Sequence, residues 1–496
     1  MVIPVTAEKS RSTARALRKF FLIDMLNNKT GYVLLFLLCA LVAAGIASVG
    51  MKFGIIVIVV IIGIPAVYSI IAYPVVGITV FMIMSYFLLY ILKLGVNFPL
   101  GTVMDGMEGL FLLGIFVNQK RKKDWSMFKG PITTMILIWI VYNLLEVGNP
   151  SAASRMAWLY TVRSVAVIMI MYFVFLYNIR TKEVVRFIIK LWLALALFVA
   201  LYAFKQQYIG FTSFEDAYLH SDPNIAQLLF IAGVWRKFSI FSDPVVFAYT
   251  MVVSALLCIG ILTGPVSKRN KWILRGLIFI YMYAMLFSGT RGAYVLMPVG
   301  LLLYGVLRYS KKILIVAIVG AALFAALIFV PTSNNTLYRF QSAFKPSDDA
   351  SFNLRKNNQK KIQPFILSHP MGGGLGATGI WGQKFSPGSY LANFPPDSGY
   401  VRVAVENGWI GLFLLCLLIF IVLKTGINNY YVIKDPELKS YTLGFILVIF
   451  AFNIGNYPQE ALVQYPSNVN FYLVIALIGV VMRIDQQQNG ELHAIK

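Results

Sequence analysis

The sequence predicts an all-α protein that crosses a membrane many times. Three observations carry that prediction. The 496-residue chain is 59% hydrophobic and has a mean hydropathy of +0.75, more apolar surface than a water-soluble fold can bury. Its apolar residues come in runs close to the roughly 20 residues that a helix needs to cross a bilayer. Its charged residues, 13% of the chain, gather between the runs. The formal net charge is +23. Between apolar runs such an excess reports membrane topology, so membrane lipids and no nucleic acid are the expected surroundings. Cys39, Cys258 and Cys416 all lie inside apolar runs and read as small packing residues.

Taken in order, about fourteen spans are expected. They cover residues 31–49, 53–72, 75–92, 100–117, 131–145, 158–177, 184–204, 244–262, 272–287, 293–307, 313–330, 403–423, 441–454 and 470–482. Residues 1–30 are polar and basic, with no cleavable signal, and Phe20, Phe21 and Ile23 suggest an interfacial helix over 14–26. The basic clusters Lys120-Arg121-Lys122-Lys123, Lys268-Arg269 with Lys271 and Arg275, and Lys311-Lys312 fall on the same side as this N-terminus. Positive charge stays cytoplasmic, which puts both termini inside. The chain then divides into a cytoplasmic segment 1–30, spans one to eleven over 31–330 with an outer loop at 205–243, a long outer loop 331–402, spans twelve to fourteen over 403–483, and a tail 484–496. The loop 331–402, roughly 70 residues, is far longer than an ordinary connection. It carries Leu354, Ile362, Phe365, Ile366 and Leu367 in an amphipathic pattern that Ser351 could cap and Pro364 should limit. Short helices on the outer membrane surface are expected there.

Ser288-Gly289-Thr290-Arg291-Gly292-Ala293-Tyr294 places one arginine between two apolar runs. An arginine at a helix end is costly unless it reaches water or binds an anion, and flanking glycines let backbone approach a ligand closely. Arg236 precedes the eighth span in a segment running from Trp235 to Pro244. Arg155 and Arg163 flank the start of the sixth span, and Arg339 and Arg355 lie in the long loop. A guanidinium fork matches phosphate oxygens and stays charged at any working pH, so arginines converging on the outer face suit a lipid-linked phosphate or diphosphate. The ordinary alternative pairs them with lipid headgroups or with Asp216, Asp222 and Asp243. The glycine-rich turn from Ser368-His369-Pro370 to Gly376 could wrap a ligand with backbone N–H groups or serve only as a tight turn. It lacks the residues of a P-loop. Asp397 sits where the long loop returns to the membrane, either as a base or as a helix cap. Trp235, Tyr338, Trp381 and Tyr400 could stack on sugars or anchor the chain at the interface.

Together these segments resemble the O-antigen ligase and O-antigen polymerase superfamily of bacterial membrane glycosyltransferases. Its members carry a Ser/Thr-Arg-Gly turn, as at Thr290-Arg291-Gly292, and an earlier arginine followed by an aromatic and Asp/Asn-Pro, as from Arg236 to Pro244. They also carry a long periplasmic loop with an arginine, His-Pro and Gly-x-Gly, as from Arg355 through His369-Pro370 to Gly376. They close on His-Asn, nine residues and Gly-x-x-Gly; here Asp397-Ser398 stands in the His-Asn place before Gly408 and Gly411. The resemblance spans about residues 131–423. It implies a GT-C-like fold in the bacterial inner membrane with the active site facing the periplasm. It implies a metal-independent inverting glycosyltransferase without a cofactor, using a glycan on undecaprenyl diphosphate as donor and a glycan or lipid A core as acceptor. Arg291 and Arg236 would hold the diphosphate, with Arg163, Arg339, Arg355 and Tyr400 as further contacts to diphosphate or glycan, and Asp397 would take the acceptor proton. The carboxylate in place of histidine favours polymerase-like members over ligases. His220, His369 and His493 are too scattered to suggest a metal site.

Two rivals are a lipid-linked glycan transporter and a non-catalytic scaffold. A transporter usually shows ionisable residues near the bilayer centre. In this chain only Asp105 and Glu108 in the fourth span and Lys190 in the seventh come close to that description.

Overall fold

The computed structural model describes residues 29–49, 67–94, 100–231, 233–309, 350–395 and 398–490, with single positions at 63 and 341 and a scatter between 311 and 332. The chain forms two compact units, one up to Ala72 and one from Tyr73. In the first, helix α1 spans Lys29–Val49. The expected interfacial helix 14–26 and most of the second span lie outside the described residues.

The second unit is built almost wholly of helices. Among its described residues, nine are long and apolar enough to cross a membrane, and each coincides with one of the spans expected from sequence. The ninth and tenth expected spans form helices too, α11 (Lys268–Leu286) and α12 (Arg291–Leu307). Basic residues fill the first turns of the former, and the latter is only 17 residues long. The sixth span is not one regular helix. It runs as α5 (Arg155–Val162), a π-helical turn over Arg163–Val167, and α6 (Ile170–Asn178). Such turns widen a helix locally and often mark functional positions.

Three helices form the centre. They are α10 (Pro244–Ile261), α17 (Pro436–Gly455) and α18 (Ser467–Gln488), and their apolar windows are 89%, 78% and 83% buried, against 33% for α16 (Gly408–Val432). Helices α10 and α17 approach closely because Gly260 faces Gly444, where a β-carbon on either would collide with the other helix. In a bilayer, lipid tails are as apolar as leucine, so close van der Waals packing of small residues takes over much of the work of association. Capping starts these helices where the sequence places proline after aspartate. Asp243 accepts from the Val245 and Val246 N–H groups at 2.6 and 3.1 Å, and Asp435 does the same for Glu437 and Leu438. At the basic end of the bundle, Arg186 forms a two-pronged pair with Glu437 at 2.5 and 2.6 Å, tying α7 (Lys182–Tyr208) to α17.

Two boundaries differ from expectation. The twelfth span starts at Gly408, because Gly408 takes a left-handed φ of 69° and lies so close to Pro370 that no β-carbon fits. Before it, α15 (Gly399–Glu406) is a separate short helix. In the long loop, α13 (Ala350–Ser368) continues through Pro364. Ile362, packed with Ala377, Leu391 and Val405 and covered by Phe365 and Ile366, holds that helix in place across the missing backbone bond. Leu354 and Leu367 remain 60% and 70% exposed on its other side. Of the three cysteines only Cys258 is a core residue; Cys39 and Cys416 are exposed.

Candidate functional site

The turn between α11 and α12 is the frame of the site. Gly289 takes a φ of 57°, open to glycine with little strain, and the Thr290 N–H donates to the Ser288 hydroxyl at 3.0 Å. The Thr290 hydroxyl in turn donates to the Pro244 carbonyl at 3.2 Å. Arg236 straps this turn from outside. Its Nε donates to the Ser288 carbonyl at 2.8 Å, its Nη2 to the Thr290 hydroxyl at 2.9 Å, and its Nη1 to the Leu228 carbonyl at 3.2 Å. Next to it, the Lys237 N–H donates to the Phe287 carbonyl at 3.0 Å. Arg291 follows directly, as the first residue of α12. Arg236 and Arg291 therefore flank one residue, Thr290.

Behind Arg291, a β-carbon on Gly292 would lie 3.0 Å from the Tyr249 hydroxyl and 3.3 Å from Pro458. Tyr249 donates to the Gly455 carbonyl at 3.1 Å. The guanidinium of Arg355, from α13, is near enough to Tyr249 to act on it electrostatically. Arg236 and Arg291 thus share one turn although they come from separate segments, and Arg355 acts electrostatically on Tyr249 behind it. Arg163 is ion-paired to Asp105 of α3 (Leu100–Lys122) at 2.8 Å. Arg155 is exposed after the Ser154 cap. Arg339 and Tyr338 lie outside the described residues, and so does Asp397.

The neighbour of Asp397 is nevertheless well defined. Ser398 caps α15, accepting from the Val401 N–H at 3.5 Å. The Gly399 N–H donates to the Asn456 carbonyl at 2.9 Å, and the Asn456 side chain fills the place where a Gly399 β-carbon would sit. The Tyr400 hydroxyl donates to the Asn453 side chain and, at 3.1 Å, to the Asn453 carbonyl; burial pushes that hydroxyl's pKa up. Arg402 pairs with Glu460 at 2.5 Å and Glu406 at 3.3 Å. Burial opposes its charge, and the two carboxylates more than offset this, so its pKa is raised. The start of α15 is therefore held by the connection between α17 and α18.

The glycine-rich turn is a structural clasp. Gly372, Gly374 and Gly376 all have left-handed φ, and the Gly373 and Gly374 N–H groups donate to the Val405 and Glu406 carbonyls at 2.8 and 2.9 Å. Asn149 donates to the Met371 carbonyl at 2.8 Å. His369 stacks on Phe365, with its Nδ1 3.0 Å from the Phe365 carbonyl oxygen and 2.9 Å from the Ser368 hydroxyl. Trp381 stacks against Tyr160 at 4.7 Å, and Trp235 lies 4.9 Å from Phe230.

Several groups near the site were not singled out from sequence. Lys93, ending α2 (Pro74–Lys93), donates to the Phe241 carbonyl at 2.5 Å and lies over the Phe238 ring at 3.9 Å. Ser242 donates to Gln464 at 2.9 Å. Glu460 and Asn456 belong to the same short connection between α17 and α18. Its length offered no signal of a role, since each partner lies far away in sequence.

Residues 276–416 match the family model described as O-antigen ligase. The matched segment holds the Thr290-Arg291-Gly292 turn, Arg355, the glycine clasp and Gly408, while Arg236 and Arg163 fall before it. No curated protein matches the chain. Set among helices of membrane-spanning length, the match supports the O-antigen ligase and polymerase superfamily and a ligase- or polymerase-type role in polysaccharide biosynthesis.

Proposed function

We propose that this protein is a membrane glycosyltransferase of GT-C-like architecture, using a glycan on undecaprenyl diphosphate as donor at the periplasmic face and joining repeat units of an O-antigen or exopolysaccharide. The observation that carries this reading is the braced turn. Arg236 fixes the backbone on either side of Gly289, Arg291 follows on the first turn of a helix, and Arg355 acts electrostatically on Tyr249 behind it. In the proposed reaction an acceptor hydroxyl attacks the anomeric carbon from the face opposite the diphosphate. The bond from anomeric carbon to diphosphate oxygen breaks, and the lipid diphosphate leaves with the electron pair. Arg291 and Arg355 would stabilise the charge that develops there; preorganised donors do this without reorganising during the step, and without a metal. Asp397, the residue before the Ser398 cap in sequence, would take the acceptor proton. Arg163, Arg339 and Tyr400 remain further donor or glycan contacts in this scheme.

A ligase that transfers finished glycan to a lipid A core or protein is the second reading, favoured by the description of the matched family. Glycan analysis separates the two. A deletion strain complemented with Arg291→Ala, at normal protein level, is expected to lose chain growth by at least about 100-fold. A ladder collapsing to one repeat on core identifies a polymerase; bare core with persistent lipid-linked polymer identifies a ligase. Donor accumulating on the cytoplasmic leaflet would indicate a transporter. Unchanged chain growth in Arg291→Ala would defeat the proposal.

A further inference from the structure

Glu108 lies within α3, one turn after Asp105, and is only 2% exposed. Neither of its carboxylate oxygens has a hydrogen-bond partner among the described residues. A carboxylate removed from water in this way is strongly disfavoured unless something neutralises it. The nearest cation does not serve, because Arg163 is bonded to Asp105 at 2.8 Å. With Asp105 and Arg163 cancelling, an ionised Glu108 would leave one negative charge.

A second set of oxygens is in the same condition. The first turn of α18 carries the Ser467 hydroxyl and the Asn470 amide oxygen, both on residues 1% exposed and both without a partner among the described residues. The other end of the Asn470 amide donates to the Tyr86 hydroxyl on α2 at 3.0 Å. Phe81 of α2 packs edge-on against Phe111 of α3 at 6.3 Å. On consecutive antiparallel spans that pairing brings Glu108 level with Ser85 and Tyr86, where Asn470 reaches. Tyr465, just before α18, lies close enough to feel both Glu108 and Asp105.

Oxygen ligands of this kind, including a carboxylate, suit a hard cation, and a single net negative charge suits a monovalent one. A bridging water could donate two hydrogen bonds but would leave the charge in place. We propose that Glu108, Ser467 and Asn470 form a binding site for one alkali-metal cation, sodium being the probe of choice, joining α3 to α18. The site adjoins the connection that carries Asn456 to Gly399 and Gln464 to Ser242, so cation binding would steady that wall of the candidate site. The inference stands independently of the proposed glycosyl transfer.

The test is thermal unfolding of the purified full-length protein in nanodiscs, with sodium chloride titrated against choline chloride at constant ionic strength. A saturable rise in Tm of a few degrees is expected in sodium, as for any ligand that binds only the folded state. Glu108→Gln should abolish that rise, and Asn470→Ala should move its midpoint to about tenfold higher sodium. The second variant decides the matter if the first does not fold. Equal Tm in sodium and choline would mean that a proton on Glu108 provides the neutralisation, and would overturn the proposal. A sodium-dependent rise that survives unchanged in both variants would place the cation elsewhere, and would also overturn it.

Discussion

Arg236 and Arg291 share a turn but do different work. Arg236 is bonded to Ser288, Thr290 and Leu228, so its first task is to hold the backbone that presents Arg291. Hydrogen bonds to a charged group contribute about 1.5–3 kcal/mol each, and planar forks cannot be copied by an ammonium. Arg236→Lys should therefore resemble Arg236→Ala in chain growth, with both well below wild type. Restoration of wild-type chain length by lysine would show that Arg236 acts through charge alone. Gly399 makes a second residue-level case. Its N–H is bonded to Asn456 and its Cα faces the Asn456 side chain. Gly399→Ala should cost about 1–3 kcal/mol through overpacking and displace the segment carrying Asp397. A lower Tm together with reduced glycan transfer is the expected result, measured on the purified protein and on a complemented strain.

At the scale of elements, the spans were legible because length and apolarity alone decide them, and the nine membrane-length helices coincide with expected runs. Local chemistry that depends on partners was not legible. Nothing in Arg163–Val167 signals a π-helical turn, and Pro364 suggested a helix end that packing by Ile362 overrides. The glycine clasp read equally well as a ligand cradle until the Val405 and Glu406 carbonyls were seen to occupy its N–H groups. The loop before α10 folds as α8 (Ser213–Leu219), α9 (Pro223–Leu229) and a short hairpin pairing Phe230 with Trp235, held by a capping box at Thr212 and Glu215. Burial works against ionised Glu215, but the Thr212 N–H and hydroxyl, Gln206 and Lys205 outweigh it and hold its pKa below the usual carboxylate value. A depressed carboxylate stabilises the fold above its unfolded pKa and loses that contribution as pH falls through the folded one. Acidification below the usual carboxylate range should therefore loosen this loop, read as faster proteolysis within 205–243. Glu215→Gln should flatten that dependence.

Across the whole molecule, the candidate site gathers residues from widely separated segments of the chain. Arg236 joins the turn before Arg291, Ser242 bonds to Gln464, and the residue after the Ser398 cap bonds to Asn456. The arginines among them were visible in sequence as charges beside glycines and aromatics. Their partners were not, because a bond such as Ser242 to Gln464 spans 222 positions. The pairing of Arg163 with Asp105 of α3 likewise joins separate helices.

The central claim is that guanidinium groups at this turn bind the diphosphate of a lipid-linked donor. Its most direct test is equilibrium binding of undecaprenyl diphosphate to the purified protein in nanodiscs, comparing wild type with Arg291→Ala at several salt concentrations. The account predicts saturable binding that weakens with salt and falls at least about tenfold in the variant. Equal affinity in the two proteins would contradict it.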